Sequence, residues 1–223
     1  MKYTKSDSNF APLCLIELEQ GEGVRIENGA MAYHNGKVEL TGKTNGGVMG
    51  GLMKKAFTGE SFFVTTATGT APGAQIAIAP GMIGDIAEIE FNQNSWFLND
   101  GVFLACDLGV EIKTKSQGLG KAVFGGTGGL FIMEATGQGK MLINGFGQLS
   151  VLTLDGSNDQ VIDNGHVVAW TSGLEYKIEA ASGTFGFTSG EGLVNRFRGT
   201  GKVIVQSRNV SGFAAMVAKF ISK

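Results

Sequence analysis

Three stretches of this chain share one pattern, a polar pair followed by glycine and an apolar run: Glu27-Asn28-Gly29-Ala30-Met31-Ala32, Asn99-Asp100-Gly101-Val102-Phe103-Leu104 and Asp163-Asn164-Gly165-His166-Val167-Val168. Internal similarity at a regular spacing constrains a fold strongly, because each copy must bury an equivalent face. An alternating, strand-like run stands before each pattern, at 15–19, 86–90 and 151–155, and another follows, at 38–40, 110–115 and 174–179. The second halves recur too. Phe62-Phe-Val-Thr-Thr-Ala-Thr-Gly69 matches Leu130-Phe-Ile-Met-Glu-Ala-Thr-Gly137, and Leu193-Val-Asn-Arg-Phe-Arg-Gly199 is a shorter third copy. Gly73-Ala-Gln-Ile-Ala-Ile78, Gly139-Lys-Met-Leu-Ile-Asn144 and Gly201-Lys-Val-Ile-Val-Gln206 close three units, about 15–79, 86–144 and 151–206, within one compact unit spanning 1–223.

The runs alternate polar and apolar with period two and are separated by glycine-rich, Asn-Gly or Asp-Gly turns, which predicts antiparallel β-structure throughout. Glycine makes up 36 of 223 residues, about twice its usual share, and turn chemistry accounts for most of the excess. Gly29, Gly101 and Gly165 are read as structural turn residues that need positive φ, which glycine adopts without steric cost. The expected fold is all-β, an antiparallel β-sandwich of double-stranded β-helix type built from three internal repeats, with two short helices. The first helix is predicted at 48–57, with Met49, Leu52, Met53 and Phe57 on an apolar face. The second is predicted at about 211–222, where Phe213, Met216, Val217, Phe220 and Ile221 recur at helical spacing. These nine residues form the candidate interaction surface. Large side chains of this kind gain about 1.5–3 kcal/mol each on burial, so each helix is expected at a subunit contact, at the mouth of a barrel, or against the chain's own core.

Charge narrows the partners. Eighteen Lys and Arg against twenty Asp and Glu give a formal charge of −2, so no global basic field draws the chain to nucleic acid or anionic lipid. Cys14 and Cys106 each sit in an apolar run and do not form a CxxC. They read as buried free thiols of a reducing compartment. The start of the chain is polar, and no stretch approaches the ~18 uncharged apolar residues of a membrane span. The expected location is the cytoplasm.

No catalytic, cofactor-binding or metal residue is nominated, and no cofactor is expected. His34 and His166 are the only histidines and lie far apart, whereas a metal needs three or four converging ligands. No Gly-x-Ser-x-Gly elbow supports a nucleophilic serine, and the apolar setting of Cys106 favours an inert thiol. The glycine-rich loops at 125–129 and 137–140 lack the Gly-Lys-Ser/Thr and helix of a phosphate loop. Arg196, Arg198, Lys202 and Arg208 form one basic cluster, but on a strand Arg196 and Arg198 share one face and Phe197 takes the other. A solvated strand face is the simpler reading.

The segment Gly46-Gly-Val-Met-Gly-Gly-Leu-Met-Lys-Lys-Ala-Phe-Thr-Gly-Glu-Ser-Phe-Phe63, with Glu27-Asn-Gly-Ala-Met31 before it and Pro80-Gly81 after it, resembles the bacterial relatives of altered inheritance of mitochondria protein 24. The likeness covers nearly the whole chain. It implies a fold like that of the tryptophan RNA-binding attenuation protein and a homotrimer, and it transfers no catalytic residue. The mitochondrial members of the family are linked to inner-membrane organisation. The expected function is therefore a non-catalytic, homo-oligomeric assembly or scaffold protein that presents β surfaces to a partner protein or a membrane-associated complex. Two other classes stay open. One is a small-ligand or carbohydrate-binding module, or a cryptic enzyme, with an apolar cleft between repeats near Trp96 or Trp170. The other is RNA binding by analogy of fold, which the near-neutral charge disfavours.

Overall fold

A computed structural model of the chain describes residues 1–8, 10–44, 63–116, 131–180 and 193–221. In chain order the strands are β1 (Lys2–Lys5), β2 (Cys14–Leu18), β3 (Gly23–Glu27), β4 (Met31–His34), β5 (Val38–Thr44), β6 (Phe63–Gly69), β7 (Ala74–Ile78), β8 (Ile86–Asn92) and β9 (Trp96–Leu98). Then come β10 (Phe103–Asp107), β11 (Val110–Ser116), β12 (Phe131–Asn144), β13 (Leu149–Asp155), β14 (Gln160–Asp163), β15 (Val167–Thr171), β16 (Glu175–Ala180), β17 (Leu193–Arg198) and β18 (Thr200–Gln206). A 3-10 turn covers Asn164–His166, and one α-helix, α1 (Val210–Ile221), follows β18. The protein is all-β, and every pairing between its named strands is antiparallel.

Alternation along each strand decides which side is buried. In β2 the residues Cys14, Ile16 and Leu18 face inward while Leu15 and Glu17 are half-buried, the period-two pattern of a strand covering a core on one face. β2 pairs with β7, and β7 with β4. β8 pairs with the second half of β12, and that half with β10. β13 pairs with β18, and β18 with β15. A second set of pairings stacks on these. β3, β6 and β5 form one group, β9, the first half of β12 and β11 another, and β14, β17 and β16 a third. Two further ladders, β3 with β10 and β9 with β15, join the groups into continuous sheets.

Three apolar clusters fill the space between the layers. One gathers Cys14, Ile16, Ile26, Ile76, Leu104 and Leu142. A central one holds Phe91, Leu98, Phe103, Met141, Ile143 and Ile204. The last centres on Trp170, Phe197, Leu174 and Val203. Trp170 packs its ring against Phe97, Tyr176 and Phe197 at centroid distances of 5.8, 4.9 and 5.7 Å.

The structure departs from the sequence expectation in several places. The runs ending at Gly137 and starting at Gly139 were expected as two strands, yet they form one strand of 14 residues, β12. Gly137 and Gly139 sit at φ +107° and +121°, which lets one strand serve two sheets. A Cβ on Gly137 would lie 2.2 Å from the Gly109 carbonyl oxygen, so no side chain fits there. Gly29 and Gly101 have the expected positive φ, +86° and +73°. Gly165 does not. It lies in the 3-10 turn, and a Cβ there would come within 2.1 Å of the Asn209 amide nitrogen, so close approach rather than left-handed backbone requires glycine. The expected barrel mouth is also absent, because the strands of the described residues form sheets that end at open edges. The helix expected at 48–57, with Met49, Leu52, Met53 and Phe57, lies outside the described residues.

Candidate functional site

The surface that stands out is made of sheet edges. Among the described strands, β4 pairs only with β7 and β14 only with β17. β4 is exposed along Met31, Ala32 and Tyr33, with Met31 38% and Tyr33 54% accessible. β14 leaves Gln160 and Val161 exposed, the latter 43% accessible, while Ile162 is buried. An edge strand offers unpaired backbone donors and acceptors, and native proteins usually blunt such edges with charge, proline or cover. Neither β4 nor β14 carries a lysine or a proline. Both carry exposed apolar side chains instead.

α1 adds a second apolar surface. Asn209 caps it, its side-chain oxygen accepting from Gly212 N–H at 3.2 Å while its backbone carbonyl accepts from Phe213 N–H at 3.0 Å. The cap is seated in the space that Gly165 leaves empty. Phe213 meets Phe146 edge to face at 5.3 Å, which fixes the start of the helix on the sheet. Even so, no α1 residue is buried. Met216 is 49% accessible, and Phe220 and Ile221 are 77% and 75%, while Val217 is half-buried. The chain's own core therefore does not take up this stripe.

A cleft of about 450 Å³ opens beside the start of α1, lined by Met82, Asn99, Val102, Phe146, Asn209 and Val210 among others. Three of its amide side chains already serve the backbone. The Asn99 amide donates to Val167 O at 2.7 Å and the Asn144 amide to Val102 O at 3.2 Å. The Gln206 amide donates to Gly165 O and its oxygen accepts from Phe146 N–H. The tryptophans expected near a cleft do not line it. Trp96 and Trp170 are buried in the clusters described above, and neither indole N–H finds a partner.

The remaining candidates fall into structural roles. Cys14 and Cys106 are buried, unbonded thiols, and burial pushes both up to about 12. A thiol so strongly protonated is a poor nucleophile. His166 shares a hydrogen bond of 2.7 Å with Gln206 O, and His34 Nδ1 accepts from Gly36 N–H at 3.1 Å. Phe197 is buried, while Arg196 and Arg198 face outward into carboxylates. Arg198 makes a two-pronged contact with Asp159, both bonds 3.0 Å, and Arg196 reaches Glu179 at 2.7 Å. The hydrogen bond from Arg198, together with the Arg198 charge, holds the Asp159 carboxyl below its ordinary value. Arg196 and Arg198, two members of the basic cluster, are thus paired in place. Among the described residues no three His, Cys, Asp or Glu side chains converge on a possible metal position, and no helix is long and apolar enough to cross a membrane.

The structural elements that matter most here, β3, β9 and β14, were not among the strands the sequence suggested. Their signals, Val24-Arg-Ile26, Trp96-Phe-Leu98 and Val161-Ile162, are too short to separate from loop by periodicity.

The fold and its surface define a class: an all-β protein of layered antiparallel sheets whose distinctive features, among the described residues, are sheet edges with a neighbour on one side and a helix with no buried residue. The match to the family described as mitochondrial biogenesis AIM24 spans residues 3–208, and the chain belongs to that family. An uncharacterised protein of Streptococcus pyogenes serotype M6 is 39% identical over 228 residues, covering 99% of this chain and 91% of its own length. A crystal structure of protein SPYM3_0169 from Streptococcus pyogenes is similar at a TM-score of 0.82 and 37% identity, over 98% of this chain and 99% of that one.

Proposed function

We propose that this chain is a non-catalytic assembly protein that works as a homo-oligomer in the cytoplasm and presents its β surfaces to a partner protein or a membrane-associated complex. The observation that carries this reading is the uncovered apolar stripe of α1, with Met216, Phe220 and Ile221 in contact with solvent. At about 1.5–3 kcal/mol for each large side chain, its burial against a second surface supplies a strong drive to associate. We read the chain as three units, 15–79, 86–144 and 151–206, which the recurring pairings β2–β7–β4, β8–β12–β10 and β13–β18–β15 support. The trimer implied by the family resemblance sets the expected mass at three times 23.3 kDa. Light scattering on the full chain, and on a chain lacking 211–223, tests the reading. An oligomer that becomes a folded monomer on truncation supports it and puts the contact on α1, an oligomer unchanged by truncation supports assembly through another surface, and a monomeric full chain overturns it.

The cleft beside α1 favours a second reading, binding of a small ligand, because about 450 Å³ is within the usual range of ligand sites. A thermal-shift screen of metabolites, metals and nucleotides separates the two. A reproducible micromolar ligand supports binding, and co-purification of one protein partner without ligand supports assembly.

A further inference from the structure

We infer that copies of this chain join head to tail by pairing the free edge of β14 in one copy with the free edge of β4 in the next, in the same way that the chain joins its own parts internally. The inference rests on the assembly reading above and assigns it an interface.

Two ladders inside the chain supply the template. In the first, β10 pairs with β3 through Ala105↔Ile26, Cys106↔Arg25 and Asp107↔Val24. In the second, β15 pairs with β9 through Ala169↔Leu98, Trp170↔Phe97 and Thr171↔Trp96. The strands that take part occupy matching places. β4, β10 and β15 each pair with the middle strand of their group, and each carries an irregularity at the same step, between Met31 and Tyr33, Phe103 and Ala105, and Val167 and Ala169. β3, β9 and β14 each pair with the middle strand of the other set of groups, through Ile26↔Thr65, Leu98↔Met133 and Ile162↔Asn195.

Each internal ladder completes a sheet of six strands, β5-β6-β3-β10-β12-β8 and β11-β12-β9-β15-β18-β13. Two half-sheets are left over. One, β16-β17-β14, ends at β14, and the other, β4-β7-β2, ends at β4 with β1 added on its far side. These are the two halves of a third sheet of the same order. They do not meet within the chain, so a second copy is the occupant that fits both edges.

Burial marks the difference. All of Phe103, Leu104, Ala105 and Cys106 in β10, and Val167, Val168, Ala169 and Trp170 in β15, are buried. Met31, Ala32 and Tyr33, their counterparts in β4, are exposed. Carrying the template across puts Tyr33 opposite Ile162, His34 opposite Val161 and Asn35 opposite Gln160 of the next copy. An interface that joins two different patches makes a ring when its rotation closes and a filament when it does not. Closure leaves no β4 or β14 edge open.

The register makes the test specific. Directly opposite residues on paired strands lie about 4.5–5.5 Å apart at Cα, within disulfide reach. The full chain carrying H34C and V161C together is expected to form disulfides between copies under mild oxidation, seen as multiples of the chain mass on a non-reducing gel. The H34C and Q160C pair, one residue out of register, is expected to cross-link at least tenfold less. Native Cys14 and Cys106 are buried, and the unmodified chain serves as the control. Separately, H34K with V161K places like charges directly opposite each other across the ladder and is expected to shift the oligomer to single copies with its circular dichroism unchanged. A full chain that is monomeric by light scattering defeats the assembly reading as well as this interface. An oligomer that resists both lysines and cross-links no better in the matched register leaves assembly standing and overturns the interface.

Discussion

β4 and β15 have nearly the same length, the same irregularity in their ladder and the same kind of partner on one side, yet one is exposed and the other is buried along four consecutive residues. The difference is the neighbour on the second side. β15 has β9 there, while among the described strands β4 has none. Apolar content follows this contrast only in part. Val167-Val-Ala-Trp170 is strongly apolar, but Met31-Ala-Tyr33 is apolar too, and its exposure is an outcome of topology rather than of composition. A buried ladder and a free edge are thus two states of one strand position, which is why the free one reads as a contact site.

The sharpest way to break the comparison is to remove a side chain that the internal ladder buries. W170A is expected to cost about 3–5 kcal/mol, the usual range for truncating a buried aromatic, because Trp170 touches Phe97, Tyr176 and Phe197 at once. M31A on the free edge is expected to change the stability of the dilute chain by less than about 0.5 kcal/mol. Urea denaturation at low protein concentration measures both. Equal losses would mean that the edge is covered in solution.

Glycines give a second pair of sites. G137A forces a Cβ against the Gly109 carbonyl oxygen at a φ of +107°, and is expected to lose about 2–3 kcal/mol. G101A has open space around its Cβ and bears only the cost of its φ of +73°, about 1 kcal/mol. Thermal melts of the two variants should keep this order.

Glu27 sharpens the comparison through pH. It lies at the end of β3, and burial, with the Asp100 charge adding to it, pushes its carboxyl up to about 7 from an ordinary 4.5. Between those pH values the folded chain holds a proton that the unfolded chain has released, so stability falls as pH rises from 4.5 to 7 and stays lower above that. E27Q removes the ionisation. It is expected to match the parent near pH 4 and to exceed it at pH 8, with solvent screening of this half-buried group holding the gain to about 2 kcal/mol or less, read as a pH series of melting temperatures. A constant difference across the series would refute the assignment.

The smallest effect is expected on the outer face of β17. R198A breaks the two bonds to Asp159, yet solvent and salt screen such exposed pairs. Its melting temperature should stay within measurement error of the parent, and any difference should vanish in high salt.

Much of the fold was legible in the sequence because strand periodicity and turn chemistry are local. The alternation in 15–19, 86–90 and 151–155 located β2, β8 and β13 to within a few residues, and Gly29 and Gly101 took the left-handed backbone that their Asn-Gly and Asp-Gly turns require. The apolar spacing of Phe213, Met216, Val217, Phe220 and Ile221 located α1. The candidate site was less legible. The sequence marked Phe213 to Ile221 but not Met31, Tyr33 or Val161, because a residue's place at an edge depends on which strand lies beside it.

What the chain order determined by itself is therefore short-range: which residues become strand, where glycine must turn or yield space, and which face of each strand is apolar. Only the tertiary structure decided that β3 and β9 find a second neighbour inside the chain while, among the described residues, β14 and β4 have one neighbour each. Backbone hydrogen bonds within a ladder are sequence-independent, so any strand can serve as a neighbour for any other. Which neighbour it meets is chosen by the packing of whole sheets around Phe91, Phe103 and Trp170, far from the edges that this packing leaves free.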